Sequence, residues 1–161
     1  MMKAAGLLFL AALMLSGCAT SSLSQQEVEL SRTYYHLANA QMRLSSYPEA
    51  VWSYRRALEV DPSFHSAAYN LAAAYERIQD YQSALSVIND LLEKDSGNTL
   101  LLSRKAWCLL QLGRNEEARD VYEQALAADP GDRDIRSSLA ALLIELGEYQ
   151  QAREQVLNLI S

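Results

Sequence analysis

Residues 65–98 read HSAAYNLAAAYERIQDYQSALSVINDLLEKDSGN, and the next 34, residues 99–132, read TLLLSRKAWCLLQLGRNEEARDVYEQALAADPGD. Laid one over the other, they match at the positions that matter for packing. Ala72 meets Ala106, Ile78 meets Leu112, Ala84 meets Ala118 and Leu92 meets Leu126. Within each block, apolar residues recur at three- and four-residue spacing in two runs split by a short polar break, such as Gly113-Arg114-Asn115. That is the pattern of two amphipathic helices joined by a turn.

The register extends outward on both sides. Ala38, Ala72, Ala106 and Ala140 form one series with a stride of 34, and Ala50, Ala84, Ala118 and Ala152 form another. Leu44, Ile78, Leu112 and Leu146 form a third, and Leu58, Leu92, Leu126 and Ile160 a fourth. Tyr47, Tyr81 and Tyr149 share a fifth, with Asn115 in the remaining place. Fixed self-similarity at this period marks an array of stacked supersecondary units. Alanine belongs where two helices of a hairpin cross, because only a small side chain lets the backbones close. One hairpin cannot bury both of its faces, so neighbours must stack. The expected fold is all-α, a right-handed solenoid of four helical hairpins with a concave groove.

These residues make the chain similar to the tetratricopeptide repeat family over 31–161, in units 31–64, 65–98, 99–132 and 133–161. Asp61-Pro62 and Asp129-Pro130 close the first and third units where that family places its proline. The second unit departs with Asp95-Ser96-Gly97, and Lys105 stands where Leu37, Leu71 and Leu139 stand elsewhere. The resemblance implies that the first helix of each hairpin lines the groove. It assigns Tyr35, Asn39 and Met42 to that surface from the first unit, and Tyr69, Asn70, Ala73 and Glu76 from the second. Arg104 and Trp107 come from the third, and Ser138 and Ala141 from the fourth. Tyr and Trp offer large contact area at low entropic cost. Asn39, Asn70 and Arg104 fall at three of five positions that grip a peptide's terminal carboxylate in some members of the family. Amide donors and a guanidinium suit that task. Tyr35 and Leu100 replace the two lysines of the grip, so a carboxylate clamp and a generic peptide groove both stay open.

The other end of the sequence carries an address. Lys3 precedes an apolar run from Ala4 to Leu15, of signal-peptide length and too short to span a bilayer. Leu15-Ser16-Gly17-Cys18 then resembles the lipobox of bacterial lipoproteins. By that resemblance, residues 1–17 are a signal peptide and Cys18 receives fatty chains, each buried CH₂ adding about 0.8 kcal/mol of membrane affinity. Ala19 in place of aspartate points, in such lipoproteins of Gram-negative bacteria, to the outer membrane. Residues 18–30 are expected to be the lipidated cysteine and a flexible tether, small and polar from Ala19 to Gln26.

Composition narrows the functional classes. A net charge of −6 and a pI near 4.9 argue against nucleic acid, which demands a concentrated basic surface. Cleavage after residue 17 removes one lysine and no acid, which deepens the negative balance by one. Cys108 sits in an apolar helical stretch and reads as a small core residue. His36 and His65 lie in different units without ligand spacing, so no metal site is expected. The serines lack a nucleophile elbow and no glycine-rich phosphate loop exists, so neither catalysis nor a cofactor is expected.

The last helix leaves Val156, Leu157, Leu159 and Ile160 as an apolar terminal face, where solenoids usually carry a polar cap. A partner or a second copy is expected there. The functional expectation is a periplasmic adaptor, lipid-anchored to the outer membrane, that binds protein or peptide partners. It resembles accessory repeat lipoproteins of pilus assembly, of the tight-adherence (Flp) or type IV pilotin kind. The alternative is a non-catalytic regulator of a peptidoglycan-synthesis or outer-membrane-biogenesis complex.

Overall fold

The structure, a computed structural model, describes residues 23–160. The expected export signal and Cys18 lie outside the described residues. Eight helices follow one another: α1 Gln25–Arg43, α2 Tyr47–Val60, α3 His65–Arg77, α4 Tyr81–Leu92, α5 Thr99–Gln111, α6 Asn115–Ala128, α7 Arg133–Glu145 and α8 Tyr149–Ile160. No strand occurs among the described residues. Each helix packs on the next, giving four antiparallel hairpins stacked into an α-solenoid.

The hairpin turns are built alike. Ser45, Gln79, Gly113 and Gly147 occupy one register position, and all four have positive φ, from 59° to 78°. After each, a backbone N–H returns to the carbonyl five residues back: Ser46 to Gln41, Asp80 to Tyr75, Arg114 to Leu109 and Glu148 to Leu143, at 2.8 to 3.0 Å. These are Schellman closures, which satisfy the last carbonyls of α1, α3, α5 and α7. Between hairpins, Asp61 and Asp129 each accept the N–H two residues on, from Ser63 and Gly131. The second unit lacks that turn, and Asn98 instead caps α5 by accepting the Leu101 N–H at 3.1 Å.

The two alanine series behave as the spacing requires. Ala38, Ala50, Ala72, Ala84, Ala106 and Ala118 are fully buried, with Ala140 and Ala152 nearly so. Around them lie two apolar clusters. One holds the joint of the first two units through Tyr54, Ala57, Ala67 and Leu71. The larger runs through units two to four on Ile88, Leu102, Leu109, Tyr122, Leu139 and Leu143.

One expectation is corrected. α1 begins at Gln25, so Gln25–Leu30 are helix and not tether. The cause is a capping box: Ser24 accepts the Glu27 N–H while the Glu27 carboxylate accepts the Ser24 N–H at 2.8 Å. The Ser24 backbone bond holds the Glu27 carboxyl below its usual range. At the far end, α8 exposes Val156, Leu157 and Ile160 and half-buries Leu159.

Candidate functional site: the groove of the first helices

The side chains that the family resemblance assigns to a groove stand on α1, α3, α5 and α7. Side chains of neighbouring first helices meet across it, Asn70 of α3 with Tyr35 and Asn39 of α1, and Arg104 of α5 with Glu76 of α3. Two polar assemblies cross it.

The first joins units one and two. The Asn39 Oδ1 accepts from the Tyr54 hydroxyl at 2.5 Å and from the Asn70 Nδ2 at 3.1 Å. The same Asn70 nitrogen also reaches the Tyr35 hydroxyl at 3.4 Å. Tyr54 is buried on α2, and burial raises its hydroxyl pKa above the ordinary value. The hydroxyl therefore stays a donor, and Asn39 orients it. The Tyr35 ring packs against Phe64 at 4.8 Å between centroids, which fixes the aromatic wall at this end.

The second assembly joins units two and three. Arg104 on α5 donates from Nε at 3.0 Å and from Nη2 at 2.8 Å to a single Glu76 oxygen on α3. The two side chains are only 15% and 16% exposed. The guanidinium also lies over the Tyr69 ring at 4.6 Å from its centroid. Burial alone would lower the Arg104 pKa, and the Glu76 carboxylate with the Tyr69 hydroxyl more than offsets that. Beneath the pair, the fully buried Cys108 places its Sγ 3.8 Å from the same Glu76 oxygen. Burial, and then the Glu76 charge, push this thiol up to about 12. Cys108 is a core residue with no thiolate to offer at neutral pH.

The structure thus brings Tyr35, Asn39, Tyr69, Asn70, Glu76 and Arg104 together, in pairs rather than as free groups. The three residues at carboxylate-clamp positions have internal partners. Arg104 already holds an internal carboxylate, and the Asn39 oxygen is occupied twice. Met42 packs on the first core cluster. Trp107 stays 40% exposed, its ring edge-on to Tyr81 at 5.4 Å. His36 is exposed, and His65 lies 3.4 Å from the Lys94 ammonium. Among the described residues, no group of three or more metal-ligating side chains occurs, and no helix is long and apolar enough to cross a membrane.

Between α1, α3 and the α4–α5 turn lies a cleft of about 640 Å³, lined among others by Tyr35, Tyr69, Asn70, Lys94 and Leu100. Tyr54, Tyr81 and Lys94 are the participants that sequence reasoning missed. Tyr54 shares its register with Ile88 and Tyr122, so only its hydroxyl, in a column of pure hydrocarbon or core tyrosine, hinted at a polar partner. Lys94 sits in the irregular turn of the second unit, where register has nothing to compare. The arrangement can hold an extended chain against Tyr35, Tyr69 and Trp107, with amide and ammonium groups at one edge.

Comparison with known proteins agrees with this architecture. Two models described as tetratricopeptide repeat match the chain, one over residues 35–99 and the other over 78–123 and 109–160. No curated protein sequence matches. Among solved structures, MamA 41-end from Desulfovibrio magneticus RS-1 is similar, with 18% identity and a TM-score of 0.73 over 81% of this chain and 73% of that one. MamA AMB-1 is similar at 22% identity and TM-score 0.71, over 80% and 70%. The first repeat domain of Spaghetti (RPAP3), bound to the HSP90 peptide SRMEEVD, aligns at 23% identity and TM-score 0.66, over 74% and 95%. At these identities the likeness is one of fold, and with helix order, turn closures and matched models in agreement, the chain belongs to the tetratricopeptide repeat family.

Proposed function

We propose that this protein is a non-catalytic adaptor, lipid-anchored at Cys18 to the periplasmic face of the outer membrane, whose groove holds a protein partner during assembly of a pilus or secretion machine. The observation that carries the binding half is that Tyr35 and Tyr69 are half-exposed and Trp107 is exposed, all three on first helices of the hairpins. Such rings supply most of the energy of many interfaces. The anchoring half rests on Leu15-Ser16-Gly17-Cys18 closing an apolar export run. A structure of the same fold is bound to the peptide SRMEEVD, which supports an extended, acidic segment as the kind of guest this groove accepts. Because Arg104 is engaged by Glu76, such a guest would be met by aromatic faces, Asn70 and Lys94 rather than by a free guanidinium.

Two measurements test the proposal. Mass spectrometry of the mature amino terminus should find a diacylglyceryl Cys18, and a free unmodified thiol there refutes the anchor. Crosslinking in the native cell followed by identification of the captured protein should return secretin or pilus components. Peptidoglycan synthases in their place would move the protein to the class of cell-wall regulators.

A further inference from the structure

The end of the solenoid that follows Cys18 in sequence carries an apolar face that packing among the described residues does not use. Leu30 and Leu37 on α1 and Leu44 at its C-cap stand seven residues apart along one side and are 46%, 45% and 77% exposed. In register, Leu37 corresponds to Leu71 and Leu139, which are 4% and 1% exposed because a preceding helix covers them. Alongside the leucines, Tyr34 packs edge-on against Trp52 of α2 at 5.9 Å, and Trp52 is 56% exposed. The repeat does not require this tryptophan: Ser86, Asp120 and Glu154 take its place in the other units. Arg56 sits over both rings, at 5.7 and 5.9 Å from their centroids.

We infer that this face lies on the lipid bilayer, with α1 flat in the headgroup region. The inference rests on the lipid anchor proposed above, and three observations select a bilayer as the occupant. The first is composition: aliphatic side chains flanked by Tyr, Trp and an Arg match what settles at a membrane interface. The second is reach. Cys18 lies seven residues before the start of α1, so its acyl chains insert within about 25 Å of the helix, while Leu30 to Leu44 spans about 21 Å. The third is charge. Residues 25–60 hold four acidic and four basic side chains, whereas residues 61–160 hold sixteen acidic against nine basic. An anionic surface repels the body of the solenoid and tolerates its first hairpin, which turns this end towards the membrane. The groove is then presented sideways, open to the periplasm.

The test uses the full lipoprotein, processed in cells and reconstituted into phosphatidylethanolamine–phosphatidylglycerol vesicles with and without bromine-labelled acyl chains. Trp107→Phe leaves Trp52 as the single tryptophan, and Trp52→Phe leaves Trp107. Trp52 emission should shift to the blue and fall roughly twofold with the brominated lipid, as expected of a ring at headgroup level, while Trp107 emission holds. Leu44→Glu, at a position too exposed to matter for folding, should restore much of the lost Trp52 emission. Vesicle flotation is read in parallel. Protein that floats while Trp52 ignores the bromine overturns the inference and leaves the anchor standing. Protein that does not float removes the anchor, and the inference with it. A Trp52 shielded in detergent, with a doubled mass in the ultracentrifuge, assigns the face to a second copy and also overturns it.

Discussion

Removing either partner of the Glu76–Arg104 pair should cost this fold several times what an exposed ion pair contributes. The carboxylate takes two charged hydrogen bonds from Arg104, at 3.0 and 2.8 Å, in a setting where both side chains are largely withdrawn from water. A charged hydrogen bond contributes about 1.5–3 kcal/mol, and breaking a desolvated pair strands the surviving charge. Glu76→Ala and Arg104→Ala should therefore each destabilise by about 2–4 kcal/mol, Arg104→Ala also uncovering the Tyr69 ring. Because the pair ties α3 to α5, its loss should weaken the coupling between units two and three and broaden the unfolding transition. Urea denaturation followed by circular dichroism, on both single variants and the double variant, gives the coupling energy directly. We expect about 1.5–2.5 kcal/mol. Arg104→Lys should recover less than half of it, since one ammonium cannot reproduce the two-nitrogen grip. Effects that add within about 0.5 kcal/mol would refute the reasoning, because they would mean that the two side chains do not share an interaction.

Three further outcomes follow from the same physics. Ala84→Leu, at a fully buried helix crossing, should destabilise by about 1–3 kcal/mol through overpacking, read as a lower urea midpoint. Gln79→Gly should stabilise and Gly113→Ala destabilise, each by about 1 kcal/mol, since both positions hold a left-handed backbone, at φ 62° and 71°. Stability should be at its full value below pH 9, the ordinary value of the thiol, and decline as pH rises towards the folded-state value of about 12. The folded state keeps the Cys108 proton while the unfolded chain releases it, so Cys108→Ala should flatten the urea midpoint between pH 9 and about 12. Tyr54 and Tyr122, also raised by burial, leave a residual slope at the alkaline end.

The repeat was legible because helix crossings impose a steric rule that sequence obeys at fixed spacing. Ala72 and Ala84 are fully buried for the same reason that Ala106 and Ala118 are, and a stride of 34 makes that visible without coordinates. The start of α1 was legible in principle. Ser24-Gln25-Gln26-Glu27 contains the serine and the glutamate of a capping box, but small polar composition suggested a tether. The turns were half legible, since glycine announces the left-handed residue at Gly113 and Gly147 while Ser45 and Gln79 adopt it without any such marker. Groove membership could be counted, whereas pairing within the groove could not. Arg104 and Glu76 lie 28 residues apart, off the repeat register, so no column of the alignment sets them side by side. Their union decides the chemistry, because it converts a would-be anion receptor into a neutral strut.

The central claim is that partners bind across the first helices of the hairpins. Site-specific photo-crosslinking in the native cell tests it most directly, with a photoreactive phenylalanine derivative at Tyr69 or Trp107 in the groove and at Asn89 or Glu123 on the opposite, exposed surface of the second helices. Adducts to one envelope protein from Tyr69 and Trp107, with none from Asn89 and Glu123, are what this reading requires. The same adduct formed only from Asn89 and Glu123 would place recognition on the outer face and contradict it.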